Sequence, residues 1–286
     1  MNILISGGNS FISKSIYQKL LLNYNVCAPF HKDVNFTNLD QVKNLLNGCF
    51  FNFLIHTAVK EGRRTDQDNS NSFFENMIML ENLLYFQNNY NKLIVFSSGA
   101  EFNKKNNIFN RKELENSSIS TDFYGLSKYI QTKRVRNDDK VINLRLFNIF
   151  GEHGMFDSFI YTSIKNYIEK KPIEIWENKF FDFFSVNDLY IVIDYLIRNP
   201  PEKYFELNCV YSKKYLMSEV AEIINNLDNY KVPVTISKEL DEKTKHYCGN
   251  GDKLKEMNLN LVGLEQEIKN LYQIIKQKYE YFTKTM

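Results

Sequence analysis

Short apolar runs alternate with longer stretches of helical periodicity from the first residues onward, the pattern of a parallel sheet whose strands are joined by helical crossovers. Asn2 to Ser6 reads as a first strand, followed by a helix from about Ser10 to Leu22 with Ile12, Ile16, Leu20 and Leu21 on its buried stripe. Asn25 to Phe30 is a second strand, Asn38 to Leu46 a helix and Phe53 to Thr57 a third strand. A long helix is expected over 72–90, a strand over 92–97, a helix over 123–136, a strand over 141–147 and a helix over 156–168. The whole predicts an α/β chain built on a doubly wound parallel sheet. Beyond Gly151 the rhythm loosens, with Pro172, Pro200, Pro201 and Pro233 marking turns between helices near 187–198, 217–226 and 263–281. That part is expected to form a smaller, interleaved lobe with segments returning to the main sheet.

Composition narrows the function classes. With 43% hydrophobic and 24% charged residues in 286, disordered, collagen-like and coiled-coil classes drop out. Lys plus Arg is 36 against 34 Asp plus Glu, a balance that gives no electrostatic footprint for nucleic acid or for an acidic membrane. No apolar run reaches the roughly 18 residues of a bilayer span, and Met1 to Gly8 lacks the charged start and cleavage site of a secretory leader. Cys27, Cys49, Cys209 and Cys248 form no C-x-x-C pair, so neither a metal site nor a disulfide framework is indicated. They read as buried small apolar residues, and the expected location is cytoplasmic.

Gly7-Gly8-Asn9-Ser10-Phe11-Ile12-Ser13 lies between the first strand and the first helix, where a dinucleotide fold sets a pyrophosphate against helical N–H groups. Against the spacing G-x-x-G-x-x-G the stretch reads Gly7, Ser10, Ser13, so the tight-turn glycine alone is in register. Ser13 is small enough for close strand–helix packing, and the Ser10 hydroxyl can donate to phosphate. Gly7, Ser10, Phe11 and Ile12 are therefore candidate cofactor contacts, unless the turn is only structural. After the second strand come Ala28-Pro29-Phe30-His31-Lys32-Asp33, with cations ahead of the acid that would hold a ribose 2′-hydroxyl. His31 and Lys32 suit the extra phosphate of NADP(H) better than NAD(H), although a solvated loop fits the same residues. Arg63-Arg64 either contacts phosphate or is solvated.

Ser97-Ser98 ends a predicted strand, and Tyr124-Gly125-Leu126-Ser127-Lys128 opens a helix that puts Tyr and Lys on one face at i and i+4. A free phenol has a pKa of about 10 and is a poor acid–base catalyst near neutrality unless a cation stabilises its anion. Lys128 supplies that cation, and Ser98 can orient the same substrate oxygen toward Tyr124. Hydride must come from a cofactor, because no side chain carries it.

With these residues the chain resembles the extended short-chain dehydrogenase/reductase superfamily, in its nucleotide-sugar epimerase/dehydratase/reductase branch. The matching stretches are residues 7–13, His56-Thr57-Ala58, Asn76, Ser97-Ser98, Tyr124 to Lys128, Arg145 to Gly151, and Phe181 to Leu189 in place of R-D-F-x-x-V-x-D-L. The resemblance implies a Rossmann-type fold, with residues 1–150 as the dinucleotide-binding domain and 151–286 as the substrate-binding lobe. It implies that Tyr124 is the general acid/base, that Lys128 also holds the cofactor ribose, that Ser98 polarises the substrate, that Ala58 forms the cofactor floor and that Asn148 lines the substrate site. His56 is expected to pack under the cofactor.

Departures from the pattern refine the expectation. Ser10 and Ser13 stand for glycines, and Phe181 stands where an arginine commonly reaches the nucleotide diphosphate. Gly99-Ala100 replaces the Asp-Glu pair of 4,6-dehydratases, and Ala100 also aligns with an epimerising cysteine. The chain looks most like 4-ketoreductases of the GDP-fucose synthase and dTDP-4-dehydrorhamnose reductase type, which implies NADP(H)-dependent reduction of a nucleotide-linked 4-keto-6-deoxy sugar. The alternatives are an epimerase with tightly held NAD, a bifunctional epimerase-reductase using His153 as an acid, and a non-catalytic cofactor sensor; His153 otherwise reads as a satisfied structural histidine. Trp176, Phe180-Phe181 and Phe183-Phe184 read as core or interface rather than base-stacking residues. A homodimer is expected through the helices at 72–90 and 123–136, with Met77, Met79, Leu83 and Leu84 among the apolar residues of the first.

Overall fold

The computed structural model describes residues 1–60, 69–115, 118–154 and 156–285. Along the chain run β1 (Asn2–Ser6), α1 (Phe11–Leu21), β2 (Asn25–Cys27), α2 (Leu39–Leu46), β3 (Phe51–His56), α3 (Ser70–Tyr85), β4 (Tyr90–Ser98) and a 3-10 turn at Gly99–Phe102. Then come β5 (Ile108–Arg111), α4 (Phe123–Val135), β6 (Val141–Leu146), β7 (Ile149–Phe150), α5 (Phe159–Ile168), β8 (Ile173–Glu177) and β9 (Phe184–Ser185). The chain finishes with α6 (Val186–Arg198), β10 (Phe205–Cys209), α7 (Met217–Asn225), β11 (Val234–Lys238), β12 (Tyr247–Gly249), α8 (Asp252–Glu256) and α9 (Leu264–Thr285).

Six strands form the central sheet in the order β10-β6-β4-β3-β1-β2, every pair parallel. This is a Rossmann-type doubly wound α/β fold. From β1 the chain steps outward to β2 and then crosses to β3 on the other side, so the order reverses at β1/β3. The carboxyl ends of these two strands open the crevice where such folds take ligands.

The strands are Ile-, Leu- and Val-rich because helices cover both faces. Ile3, Ile5, Ile55, Ile94 and Ile142 pack with residues of α1 and α6 on one face, while Leu4, Leu54, Leu93 and Val95 pack with residues of α2 and α3 on the other. Each such aliphatic side chain contributes about 1.5–3 kcal/mol on burial. A third cluster, joining α5, α7, α9 and β8, gives the later part of the chain its own core. Helix starts are set by side-chain caps: Ser10, Asn38, Asn69, Asp122 and Ser185 each accept a first-turn N–H.

Several boundaries differ from the sequence reading for local reasons. The second strand stops at Cys27 instead of Phe30, because the chain turns so that the Pro29 carbonyl accepts from Gly8 N at 3.0 Å. The helix expected over 72–90 ends at Tyr85; a 3-10 turn at Gln87–Asn89 follows, and Tyr90 already belongs to β4. Its apolar period ran on because Tyr90 is an inward strand residue, its hydroxyl donating to Leu83 O at 3.1 Å. Helix α5 begins at Phe159, three residues later than expected. Of the four cysteines Cys209 and Cys248 are buried, but Cys27 and Cys49 are exposed, at the end of the edge strand and in the turn before β3. Phe183 and Phe184 are core residues, whereas Trp176 is 75% exposed. Among the described residues no helix is long and apolar enough to cross a membrane.

Candidate active site

The glycine turn sits at the mouth of the switch-point crevice. Gly7 has φ +71°, and a Cβ there would lie 2.8 Å from Ala58 Cα, so both the backbone conformation and the contact with the segment after β3 require glycine. Around it Ser10 Oγ donates to Thr57 Oγ1 at 2.9 Å and accepts from Ser13 N at 3.2 Å, while Ala58 N donates to Ser6 Oγ at 3.3 Å. Gly7, Ser10, Phe11, Ile12 and Ala58 are thus brought together. The N–H groups of Phe11 and Ile12 open α1, where intrahelical partners are missing and the helix dipole favours an anion. His31 and Lys32 are exposed on the turn after β2, which the Gly8–Pro29 hydrogen bond holds beside the glycine turn. These residues fit a dinucleotide phosphate. Arg63 and Arg64 lie outside the described residues.

Ser98, Tyr124 and Lys128 meet at the carboxyl end of β4. Ser98 is buried, accepts from Ala100 N at 3.2 Å and hydrogen-bonds the Tyr124 phenol. Tyr124 is in the first turn of α4, whose N-cap Asp122 accepts from Gly125 N at 2.7 Å. The close approach of α4 to the 99–102 turn needs the intervening glycine, because a Cβ on Gly125 would lie 2.3 Å from Ser120 Oγ and 2.7 Å from Ala100 O. One turn on, Lys128 is buried, with Nζ 6.0 Å from the Tyr124 ring centroid and donating to Phe96 O at 2.8 Å.

Burial moves the proton affinities of the two groups in opposite directions. Burial pushes the Tyr124 phenol up and the nearby Asp122 adds to this, while the Ser98 hydrogen bond opposes them. Burial brings the Lys128 amine down to about 8, against the pull of Glu101. His56 is buried with Nδ1 2.7 Å from Ser6 Oγ; desolvation, then the Lys128 charge, lower it to about 3, so it stays neutral. Asn148 stands just beyond β6, its carbonyl accepting from Phe184 N at 2.8 Å and its buried Oδ1 without a partner among the described residues. His153 is exposed on the turn after β7, so it is not the satisfied structural histidine of the sequence reading.

Three nearby residues escaped the sequence reading. Tyr247, on β12, hydrogen-bonds Ser98 and lies near Tyr124; its ring stacks on Phe181 at 5.2 Å, so Phe181 forms part of an aromatic wall where an arginine was the alternative. Lys104 Nζ lies 5.8 Å from the Tyr124 ring centroid. Glu101, the first carboxylate after Ser98 in sequence, is buried and turned away into a network with Ser97, Thr132 and Arg145. A signal for the last was present: Arg145 interrupts an apolar strand, and a buried guanidinium requires a buried carboxylate.

A reversing parallel sheet, a glycine turn at its switch point and a Ser–Tyr–Lys set beside it define an NAD(P)-dependent oxidoreductase class. The model of the NAD dependent epimerase/dehydratase family matches residues 3–207, and the chain belongs to that family. No match is found among curated proteins. Among solved structures, GDP-mannoheptose C4 reductase from Campylobacter jejuni with NADP bound has a TM-score of 0.78 at 16% identity, over 96% of this chain and 98% of that one. dTDP-4-dehydrorhamnose reductase from Bacillus anthracis in complex with NADP gives 0.76 at 21%, over 95% and 98%. UDP-glucose 4-epimerase from Thermotoga maritima with UDP-glucose gives 0.79 at 16%, over 98% and 100%. At these identities the likeness is one of fold.

Proposed function

We propose that this protein reduces the C4 ketone of a nucleotide-linked 4-keto-6-deoxy sugar with NADP(H), in the synthesis of an unusual sugar for a surface polysaccharide or glycan. The observation that carries the reading is the convergence of Ser98, Tyr124 and Lys128 beside the glycine turn. Residues 1–150 hold the dinucleotide in this assignment: Gly7, Ser10, Phe11 and Ile12 face its pyrophosphate, His31 and Lys32 its 2′-phosphate, Ala58 its floor and Lys128 its ribose. The lobe formed by 151–286 takes the sugar nucleotide, with Asn148 at the border. The proposal includes a homodimer and a cytoplasmic location, the latter in keeping with the four free cysteines. The NADP complexes of the two similar reductases support the cofactor assignment.

When bound, the nicotinamide supplies hydride to the ketone carbon. Negative charge then develops on the ketone oxygen, and Tyr124 neutralises it by donating its phenolic proton while Ser98 fixes the oxygen by hydrogen bonding. Lys128 offsets the charge left on the phenol, and the balance is ketone plus hydride plus proton to alcohol. No further base is needed: Ala100 carries no ionisable group, and the Glu101 carboxylate is engaged in its buried network.

Purified protein mixed with 4-keto-6-deoxy sugar nucleotides should oxidise NADPH in preference to NADH, and Lys32→Asp should reduce that preference. In deuterated water the product should carry no solvent deuterium at C3 or C5. Deuterium at either carbon would move the assignment to a bifunctional epimerase-reductase. Tightly retained NAD with no net oxidation would move it to an epimerase such as the third similar structure.

A further inference from the structure

The strongest unassigned cluster lies beneath the catalytic residues. Glu101 is 4% exposed. One carboxylate oxygen accepts from the Thr132 hydroxyl at 2.8 Å and from Ser97 Oγ, and those two hydroxyls are 2.9 Å apart. The other oxygen accepts from Arg145 Nε at 3.0 Å and Nη2 at 2.5 Å. Arg145 is itself fully buried, pairs with Glu206 and donates Nη1 to Asn208 Oδ1 at 2.8 Å.

The partners of this carboxylate have a telling distribution. Ser97 adjoins Ser98 on β4, Thr132 lies one turn beyond Lys128 on α4, and Arg145 is on β6, which leads to Asn148. One side chain therefore joins the three elements that deliver the candidate catalytic groups. Arg145 reaches one carboxylate oxygen only, so the other is satisfied by the two hydroxyls, and it is through them that the side chain is tied to β4 and α4.

We propose that Glu101 is a positioning residue for the reaction: its carboxylate locks β4, α4 and β6 in register and holds a negative charge beneath Lys128, keeping that amine protonated as Tyr124 gives up its proton. This rests on the reductase reading for the reaction itself. Among the described residues, the other groups facing the Tyr124–Lys128 pair are accounted for. From β3 comes the neutral His56, from β4 the Phe96 carbonyl, and from β12 Tyr247, whose phenol burial keeps protonated and which hydrogen-bonds Ser98; Glu75 and Glu81 of α3 are paired with Lys60 and Arg134. Asp122 caps α4, and Lys104 lies over the Tyr124 ring. Glu101 is the carboxylate that pulls the Lys128 proton affinity upward.

Removing the negative charge makes each proton on the Tyr124–Lys128 pair easier to lose, so Glu101→Gln should move the alkaline limb of kcat/KM for ketone reduction toward lower pH by about half a pH unit or more. Glu101→Asp, which keeps the charge, should restore most of it. The same displacement should appear in the pH dependence of Lys128 acylation by acetic anhydride, followed by mass spectrometry in protein free of substrate. That readout separates the two ideas, since a shifted acylation curve in a protein that reduces no ketone removes the reductase reading and leaves the charge coupling intact. A folded Glu101→Gln protein with wild-type pH limb and acylation curve overturns the proposal. If that variant does not fold, Thr132→Val decides: it removes the hydrogen bonds of the Thr132 hydroxyl with Glu101, Ser97 and Asn143 while keeping the charge and should cut turnover about tenfold at unchanged NADPH affinity, and wild-type turnover there overturns the clamp.

Discussion

At Tyr124 and Lys128 the same physical cause acts with opposite signs. Desolvation disfavours whichever form is charged, so it raises the phenol and lowers the amine to about 8. This drives the two proton affinities apart and reverses their order, so that the phenol keeps its proton until the substrate oxygen takes it and the amine is the first of the pair to lose its own. Tyr124→Phe removes the proton and keeps the ring, and it should lower turnover by at least about a hundredfold while NADPH affinity, read by fluorescence titration, stays near wild type. Undiminished turnover would exclude the phenol as donor. Lys128 imposes the pH range: above about 8 its charge is lost, so reduction should fall as pH rises through that value. These two residues were legible because their relation is local, four positions on one helix. Glu101 and Tyr247 were not, because their partners Arg145 and Ser98 are far along the chain.

Among the elements, α4 has the narrowest tolerance. Its first turn must lie against the 99–102 turn for Tyr124 to reach Ser98, and Gly125 provides the space. Gly125→Ala would gain about 1 kcal/mol of helix propensity. The added methyl, however, meets the Ala100 carbonyl at 2.7 Å, and backbone yields less readily than a side-chain tip. Overpacking of this kind costs about 1–3 kcal/mol, so the variant should show a lower urea midpoint and, because α4 must back away from Ser98, reduced turnover. An unchanged midpoint with full activity would show that the turn has slack. The spacing Tyr-Gly-Leu-Ser-Lys showed a helix in the sequence, but that its second residue had to be a glycine depended on what α4 touches.

At the scale of the whole molecule, α3 carries an exposed apolar stripe among the described residues. Of the residues expected at a dimer contact, Met77, Met79, Leu83 and Leu84, the last three are buried in the chain's own core against β3 and β4. The exposed apolar residues of α3 are Phe74 at 59%, Ile78 at 44% and Tyr85 at 74%, four and seven positions apart and so on one stripe. A homodimer through α3 and α4 should therefore be lost in Ile78→Glu, with the mass by light scattering halved at micromolar concentration; a monomeric wild type would refute it. The sequence alone determined the alternation of strands and helices, the glycine turn and the Tyr–Lys pair, because apolar periodicity and i,i+4 spacing are properties of a local stretch. Tertiary structure decided which apolar face of α3 is core, where β2 and α3 end, and that a glutamate after Ser98 sits under the lysine and is clamped to an arginine of another strand. Those outcomes depend on what each residue meets across the sheet, and no local pattern encodes a contact between segments dozens of residues apart.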